Sequence, residues 1–148
     1  KSIYWIDDWE LVCISVMKFV KSLSPDQEAD FQIPVLFNDS EDKTFAIDLF
    51  RKTILNMDKF DSMISKAAQN WDIDRIALMD ILIMKMALTE LEFFPNVPVR
   101  VTLNEFIEIS KNYSTPRSNI FINGVLDKLV DSLKNENRLQ KTGKGLME

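Results

Sequence analysis

Histidine is absent from the 148 residues, and cysteine occurs once, at Cys13. Without histidine there is no Ser-His-Asp or Cys-His nucleophile pair and no histidine-ligated metal site. A lone cysteine can neither close a disulfide within the chain nor build a cysteine-based zinc site, so a reducing compartment is its natural setting. Glycine is nearly as scarce. Gly124, Gly143 and Gly145 are the only three, which argues against a β-sandwich or a doubly wound α/β fold, since both use glycine at many turns. No run of about 18 apolar residues occurs, and nothing has the pattern of a signal peptide. Carboxylate and lysine chemistry have no motif behind them. These absences describe a cytoplasmic protein away from the membrane that is not an enzyme and takes no metal or cofactor. The start at Lys1 in place of methionine reads as a piece of a longer protein.

What is present is ordinary for a globular domain: 46% apolar and 28% charged residues, enough to close a core in one domain of this length. The net charge of −5 is unevenly distributed. Residues 100–148 carry eight Lys and Arg against six Asp and Glu, whereas residues 1–99 carry ten against seventeen. Polyanions bind through clustered Lys and Arg that release counterions, so a nucleic acid would favour the C-terminal half.

Apolar spacing of three and four predicts about six helices and no strand. The first follows Asp7 and Asp8 and carries Trp9, Val12, Val16, Phe19, Val20 and Leu23 up to Pro25. The apolar, proline-broken run at 33–37 should pack as extended chain. A second helix starts at Ser40, with Phe45, Leu49, Ile54 and Leu55 as its buried stripe. Asp58 should cap a third, carrying Phe60, Met63, Ile64 and Ala67, and Asp72 or Asp74 a fourth that is apolar on nearly every face from Ile73 to Leu91. Such a helix belongs at the centre of a bundle. Thr102 and Glu105 fit a capping box opening the fifth, and Ser114 or Thr115 should cap the last, with Phe121, Ile122, Val125, Leu126, Leu129, Val130 and Leu133 inward. The helical domain should span 1–135, leaving 136–148 as a flexible tail.

Acidic pairs such as Asp7-Asp8 and Asp72-Ile73-Asp74 read as helix N-termini favoured by the dipole, not as metal clusters. Met79, Met84 and Met86 read as core filler. Gly124, in the run Phe121-Ile122-Asn123-Gly124-Val125-Leu126, needs a reason, because a glycine inside a helix costs about 1 kcal/mol relative to alanine. Either a neighbouring helix approaches it closely or something outside the fold does. Lys85 in an apolar helix and Asn123 in an apolar run must each be paired, exposed or used. Lys111, Arg117 and Lys128 lie near Tyr113 and Phe121. Rings for stacking and cations for phosphates match a surface for single-stranded RNA.

Four stretches together resemble the NusB family of transcription antitermination factors. They are Asn70-Trp71-Asp72-Ile73-Asp74-Arg75-Ile76; Met84-Lys85-Met86-Ala87-Leu88-Thr89-Glu90-Leu91; Val97-Pro98 through Thr102-Leu103-Asn104-Glu105 to Lys111; and Ser118-Asn119-Ile120-Phe121-Ile122-Asn123-Gly124-Val125-Leu126-Asp127-Lys128. The last is close to the family's Phe-Val-Asn-Gly-Val-Leu-Asp signature, and the four lie in family order over 70–133. The resemblance implies an all-α, NusB-like bundle of six to seven helices. It also implies binding to boxA RNA together with ribosomal protein NusE, within RNA polymerase antitermination complexes. Phe121 occupies the family's aromatic position at the RNA surface and Arg117 lies in the loop before it. With Lys111, Lys128 and Asn123 these are the RNA candidates. Asp80 falls near the NusE contact and, with Lys85, is the partner candidate; Gly124, Thr102 and Glu105 are structural. The acidic, aromatic start lacks the arginine-rich first helix usual in the family. That helix lies upstream, or this member depends less on RNA. Rival expectations are the NusB-like domain of a ribosomal RNA cytosine methyltransferase, or a helical interaction module without RNA.

Overall fold

The computed structural model describes residues 8–22, 40–68 and 76–147. Among them are six α-helices and no strand: α1 (Asp8–Ser22), α2 (Ser40–Leu55), α3 (Met57–Ala67), α4 (Leu78–Phe93), α5 (Val99–Tyr113) and α6 (Ser118–Asn135). The all-α reading therefore holds. The stop at Pro25, the run at 33–37, Leu23, the caps at Asp72 and Asp74 and the resemblance at 70–75 lie outside the described residues.

The chain divides into two compact units, 1–43 and 44–148. In the first, α1 shows Trp9, Val12, Val16, Met17 and Val20 as exposed side chains, with Trp9 75% accessible. Its sequence periodicity is helical, as expected, and Lys21 in its last turn suits the helix dipole.

In the second unit α4 is central, packing against α3, α5 and α6. Ile83, Met84, Ala87, Leu88 and Leu91 on α4 meet Phe60 and Ile64 of α3, Phe106 of α5, and Ile122, Leu126, Leu129 and Leu133 of α6 in one buried cluster. Burying each such side chain contributes about 1.5–3 kcal/mol, which makes this cluster the main source of stability. Helix α2 reaches the core through Leu49, and Phe45 sets its ring edge-on to Phe94 at 4.8 Å. Asp58 in the first turn of α3 and Lys66 in its last turn both suit the helix dipole.

Several expectations need correction. Ile54 and Leu55 are exposed, and Thr53 is the buried residue on that turn. Its hydroxyl lies 2.7 Å from Leu49 O and 2.9 Å from Thr89 Oγ1. A buried hydroxyl with partners is as good a packing unit as an apolar side chain, so apolarity alone picked the wrong face. Helix α3 is entered through Asn56 without a side-chain cap, leaving Asp58 inside the first turn.

The capping box is also absent. Helix α5 starts at Val99 after Pro98, so Thr102 is interior and fully buried, and its Oγ1 donates to Glu90 Oε1 at 2.7 Å. Glu105 is exposed on the same helix. The tail is not loose. After α6, Thr142 N–H donates to Pro95 O at 3.0 Å and Lys141 Nζ to Phe94 O at 3.1 Å, and a 3-10 turn forms at Gly143–Leu146. Gly145 is buried so tightly there that a Cβ would overlap the Pro95 carbonyl. Backbone partners across the α4–α5 turn hold a segment whose side chains are too polar to signal packing.

Candidate functional site

The loop from α5 to α6 is built around Asp80, in the first turn of α4. Its carboxylate is 4% exposed and accepts from Ser114 Oγ and, at 2.9 Å, from Ser118 Oγ. Thr115 Oγ1 completes the group, 2.6 Å from Ser118 Oγ. A buried carboxylate needs such donors, since leaving it without them costs several kcal/mol. The network holds the loop against α4 and so sets where α6 begins. Arg117, the residue before α6, takes a left-handed conformation (φ 76°). Only asparagine, aspartate and glycine reach that region readily. The turn accordingly presents Arg117 outward at the head of α6, where the side chain is exposed.

One helical turn on, Phe121 is half-buried and packs on the core, while Ile120 beside it is 70% exposed. Arg117, Ile120, Phe121, Gly124, Val125 and Lys128 line an open cavity of about 320 Å³. No carboxylate lies among those lining residues. Neither Arg117 nor Lys128 has an ion-pair partner among the described residues. Gly124 forms part of the floor. A Cβ built there meets nothing within 4 Å. The close-helix explanation of Gly124 therefore falls among the described residues: none of them requires a glycine there, and the helix carries its propensity cost with an open space above it.

The cavity thus gathers Arg117, Phe121 and Lys128 from the expected RNA set, with Gly124 between them. It does not gather the other two. Lys111 lies in the last turn of α5, ion-paired with Glu108 at 2.7 Å. Asn123 is exposed on α6 and donates to Asp127 Oδ2 at 3.1 Å. The two partner-binding candidates, Asp80 and Lys85, are each 4% exposed. Lys85 is ion-paired to Asp61 of α3 at 2.7 Å, and Asp80 is turned to the loop serines. Each can reach a partner only through the element it holds. Ile120 also belongs to the cavity without having been a candidate, and Val125, expected inward, is buried yet forms part of the lining; apolar residues in an apolar helix give no sign of which face is open.

Beneath the α4–α5 turn, burial raises the Glu90 carboxyl above the ordinary carboxylate range, against the opposing hydrogen bond from Thr102. Desolvation likewise lowers the Lys141 ammonium, offset in part by attraction to Glu90. Among the described residues there is no group of acidic, histidine or cysteine side chains able to hold a metal ion, and no helix is long and apolar enough to cross a membrane. The cavity over Gly124 can seat a flat ring between apolar side chains and present a cation at each end to anionic groups.

Comparison with known proteins gives a consistent result. The model of the NusB family matches residues 17–131. A transcription antitermination protein NusB from Salinibacter ruber is 47% identical over 112 residues, covering 76% of this chain and 70% of that protein. The counterpart from Chloroherpeton thalassium is 37% identical, covering 74% of this chain but 52% of its own length. The protein of the same name from Natranaerobius thermophilus is 39% identical over 82 residues, covering 55% of this chain and 59% of its own. For the latter two the chain spans little more than half of the relative. A solved structure of T. maritima NusB superposes with a TM-score of 0.59 at 33% identity, covering 63% of this chain and 66% of that one.

Proposed function

The chain belongs to the NusB family, and from that premise we propose that it is a cytoplasmic antitermination subunit that binds boxA-type single-stranded RNA together with ribosomal protein NusE, within the RNA polymerase antitermination complex. The curated relatives bear the name of an antitermination protein and not of an enzyme. The observation that carries the RNA reading is the carboxylate-free cavity over Gly124, open above a helix backbone that the fold itself does not crowd.

Single-stranded RNA is held by stacking of unpaired bases on side-chain rings and by cations that follow the phosphates. Phe121 supplies a ring fixed from below by the core. Gly124 lets a base approach the α6 backbone. Arg117 and Lys128 lie one turn before the ring and about two turns after it, so they can meet phosphates on either side. Arg117 is a rigid fork suited to bidentate phosphate recognition, and Lys128 is a mobile point charge. On this reading Asp80 serves the NusE side indirectly, by fixing the α5–α6 loop, and Lys85 by fixing α3.

The test is a fluorescence titration of boxA-type RNA with and without NusE. Phe121→Ala should weaken binding about tenfold, the loss expected for one stacked base, with helicity unchanged by circular dichroism. If Arg117 and Lys128 each neutralise one phosphate, the pair should contribute a slope of about −1.4 to the logarithm of affinity against that of salt. Unchanged affinity in Phe121→Ala would sink the assignment.

A further inference from the structure

A second cavity, of about 460 Å³, lies between α3 and α6. Its charged lining is Lys66, Lys128, Arg138 and Glu136, over a floor that includes Met63 and Leu129. Lys128 belongs to both cavities. The spacing on α6 explains why: Phe121, Gly124, Lys128 and Ser132 recur at intervals of three and four, which places them along one face of the helix. Lys128 Nζ donates to Ala67 O, the last residue of α3, at 3.3 Å, so it stands at the boundary between the cavities. Phe121 and Ser132 are about 16 Å apart along the helix at 1.5 Å per residue.

The charge on this face is one-sided. Three cations face the single carboxylate of Glu136, which is already held by Ser132 and Arg138. Arg138 is engaged with Glu92 as well. Lys66 forms no ion pair among the described residues and is exposed. Glu136 lies within electrostatic reach of Lys66 but is also held by Ser132 and Arg138, so the lining keeps an excess of positive charge that a further anion would offset.

We propose that the α3–α6 groove continues the RNA surface, so that a strand seated over Gly124 passes Lys128 and places a further phosphate against Lys66. This rests on the RNA reading above and adds Lys66 and the α3–α6 groove to it. An RNA strand fits better than an acidic peptide because the two cavities share Lys128 and the other of them is lined by the Phe121 ring, on which a base can stack.

The experiment uses the full chain with labelled isoleucine and methionine methyls and a boxA-type dodecanucleotide. The Ile120 methyl reports the first cavity and Met63 the second. Shifts at both on one binding curve support the proposal. A shift at Ile120 alone overturns it and leaves the RNA reading intact; shifts at neither remove both. A shift of Met63 with an oligoglutamate but not with the RNA overturns it in favour of an acidic peptide. In affinity, Lys66→Glu should weaken the dodecanucleotide by about five- to tenfold, as for loss of one phosphate contact. Lys144→Glu, an equal charge change in the tail turn, should cost under about twofold on the same grounds. Equal losses from the two variants would reduce the effect to net charge and overturn the proposal.

Discussion

The start and middle of α4 and the outer face of α6 are both rich in polar residues set in apolar runs, and the fold treats them in opposite ways. On α4, Asp80, Lys85, Thr89 and Glu90 are buried, and each has a hydrogen-bond or ion-pair partner inside the protein. No buried side-chain polar atom among the described residues lacks a partner. At the head of α6 and along it, Arg117 and Lys128 are exposed around an open cavity, with no ion-pair partner among the described residues. The difference separates two meanings of a polar residue in a helical signature. Those on α4 fix the neighbouring helices, whereas Arg117 and Lys128 carry charge that no ion pair among the described residues offsets, which is why the proposed RNA site is put there.

The comparison can be broken by mutation, and the largest effect should come from the α4 side. Asp80→Ala removes the acceptor for Ser114 and Ser118 and should destabilise the fold by about 2–3 kcal/mol in urea unfolding, from unsatisfied hydroxyls and lost packing. A loss under half a kcal/mol would mean that the loop does not depend on α4. Gly124→Ala should act in the reverse direction. It should stabilise the protein by about 1 kcal/mol, since nothing opposes a Cβ there and alanine is the better helix former, while weakening RNA binding measured in parallel. A rise in both quantities would show that the space over Gly124 is unused.

A smaller effect is a slope with pH. Burial raises the Glu90 carboxyl in the folded state, so the folded protein holds this proton more tightly than the unfolded chain. The resulting stabilisation is fully present below about pH 4.5, the unfolded value, and is lost as pH rises through the higher folded value. Glu90→Gln, which can still accept from Thr102, should flatten that part of the stability profile; an unchanged profile would place the proton elsewhere. The smallest effect is expected of Lys111→Ala, which breaks one exposed pair with Glu108 worth about 0.2–0.5 kcal/mol. Its RNA affinity should stay near that of the parent protein. A loss as large as that of Phe121→Ala would extend the surface onto α5.

Much of this was legible in the sequence where the signal is local. Helical spacing placed the core of α6 correctly but overreached on α4, which begins at Leu78 and leaves Leu78 and Met79 exposed, so Met79 is not core filler; the isolation of Lys85 correctly demanded a partner, which Asp61 of α3 supplies. Gly124 announced itself by its helix cost, although no close neighbour among the described residues accounts for it. What failed was degenerate or remote. A threonine three residues before a glutamate looks the same at an N-cap and in a helix interior, and only the carboxylate of Glu90 on another helix decided for Thr102. Asp80 gave no sign of burial, because its donors arrive from Ser114 and Ser118, far along the chain. Lys66 and Arg138 join Lys128 only through the packing of α3 and the tail on α6.

The docked tail bears on the order in which the molecule is completed. Carbonyl groups at Phe94 and Pro95 find their partners in Lys141 and Thr142, and the fit of Gly145 over Pro95 leaves no slack. During synthesis α4, α5 and α6 can pair with their neighbours as each emerges, but the turn between the first two waits for Gly145. Domains fold as they leave the ribosome, N-terminal parts first. In this one the central helix has its far end closed last, so a nascent chain stalled before the tail would carry an assembled α6 face on a bundle whose α4–α5 turn is still open.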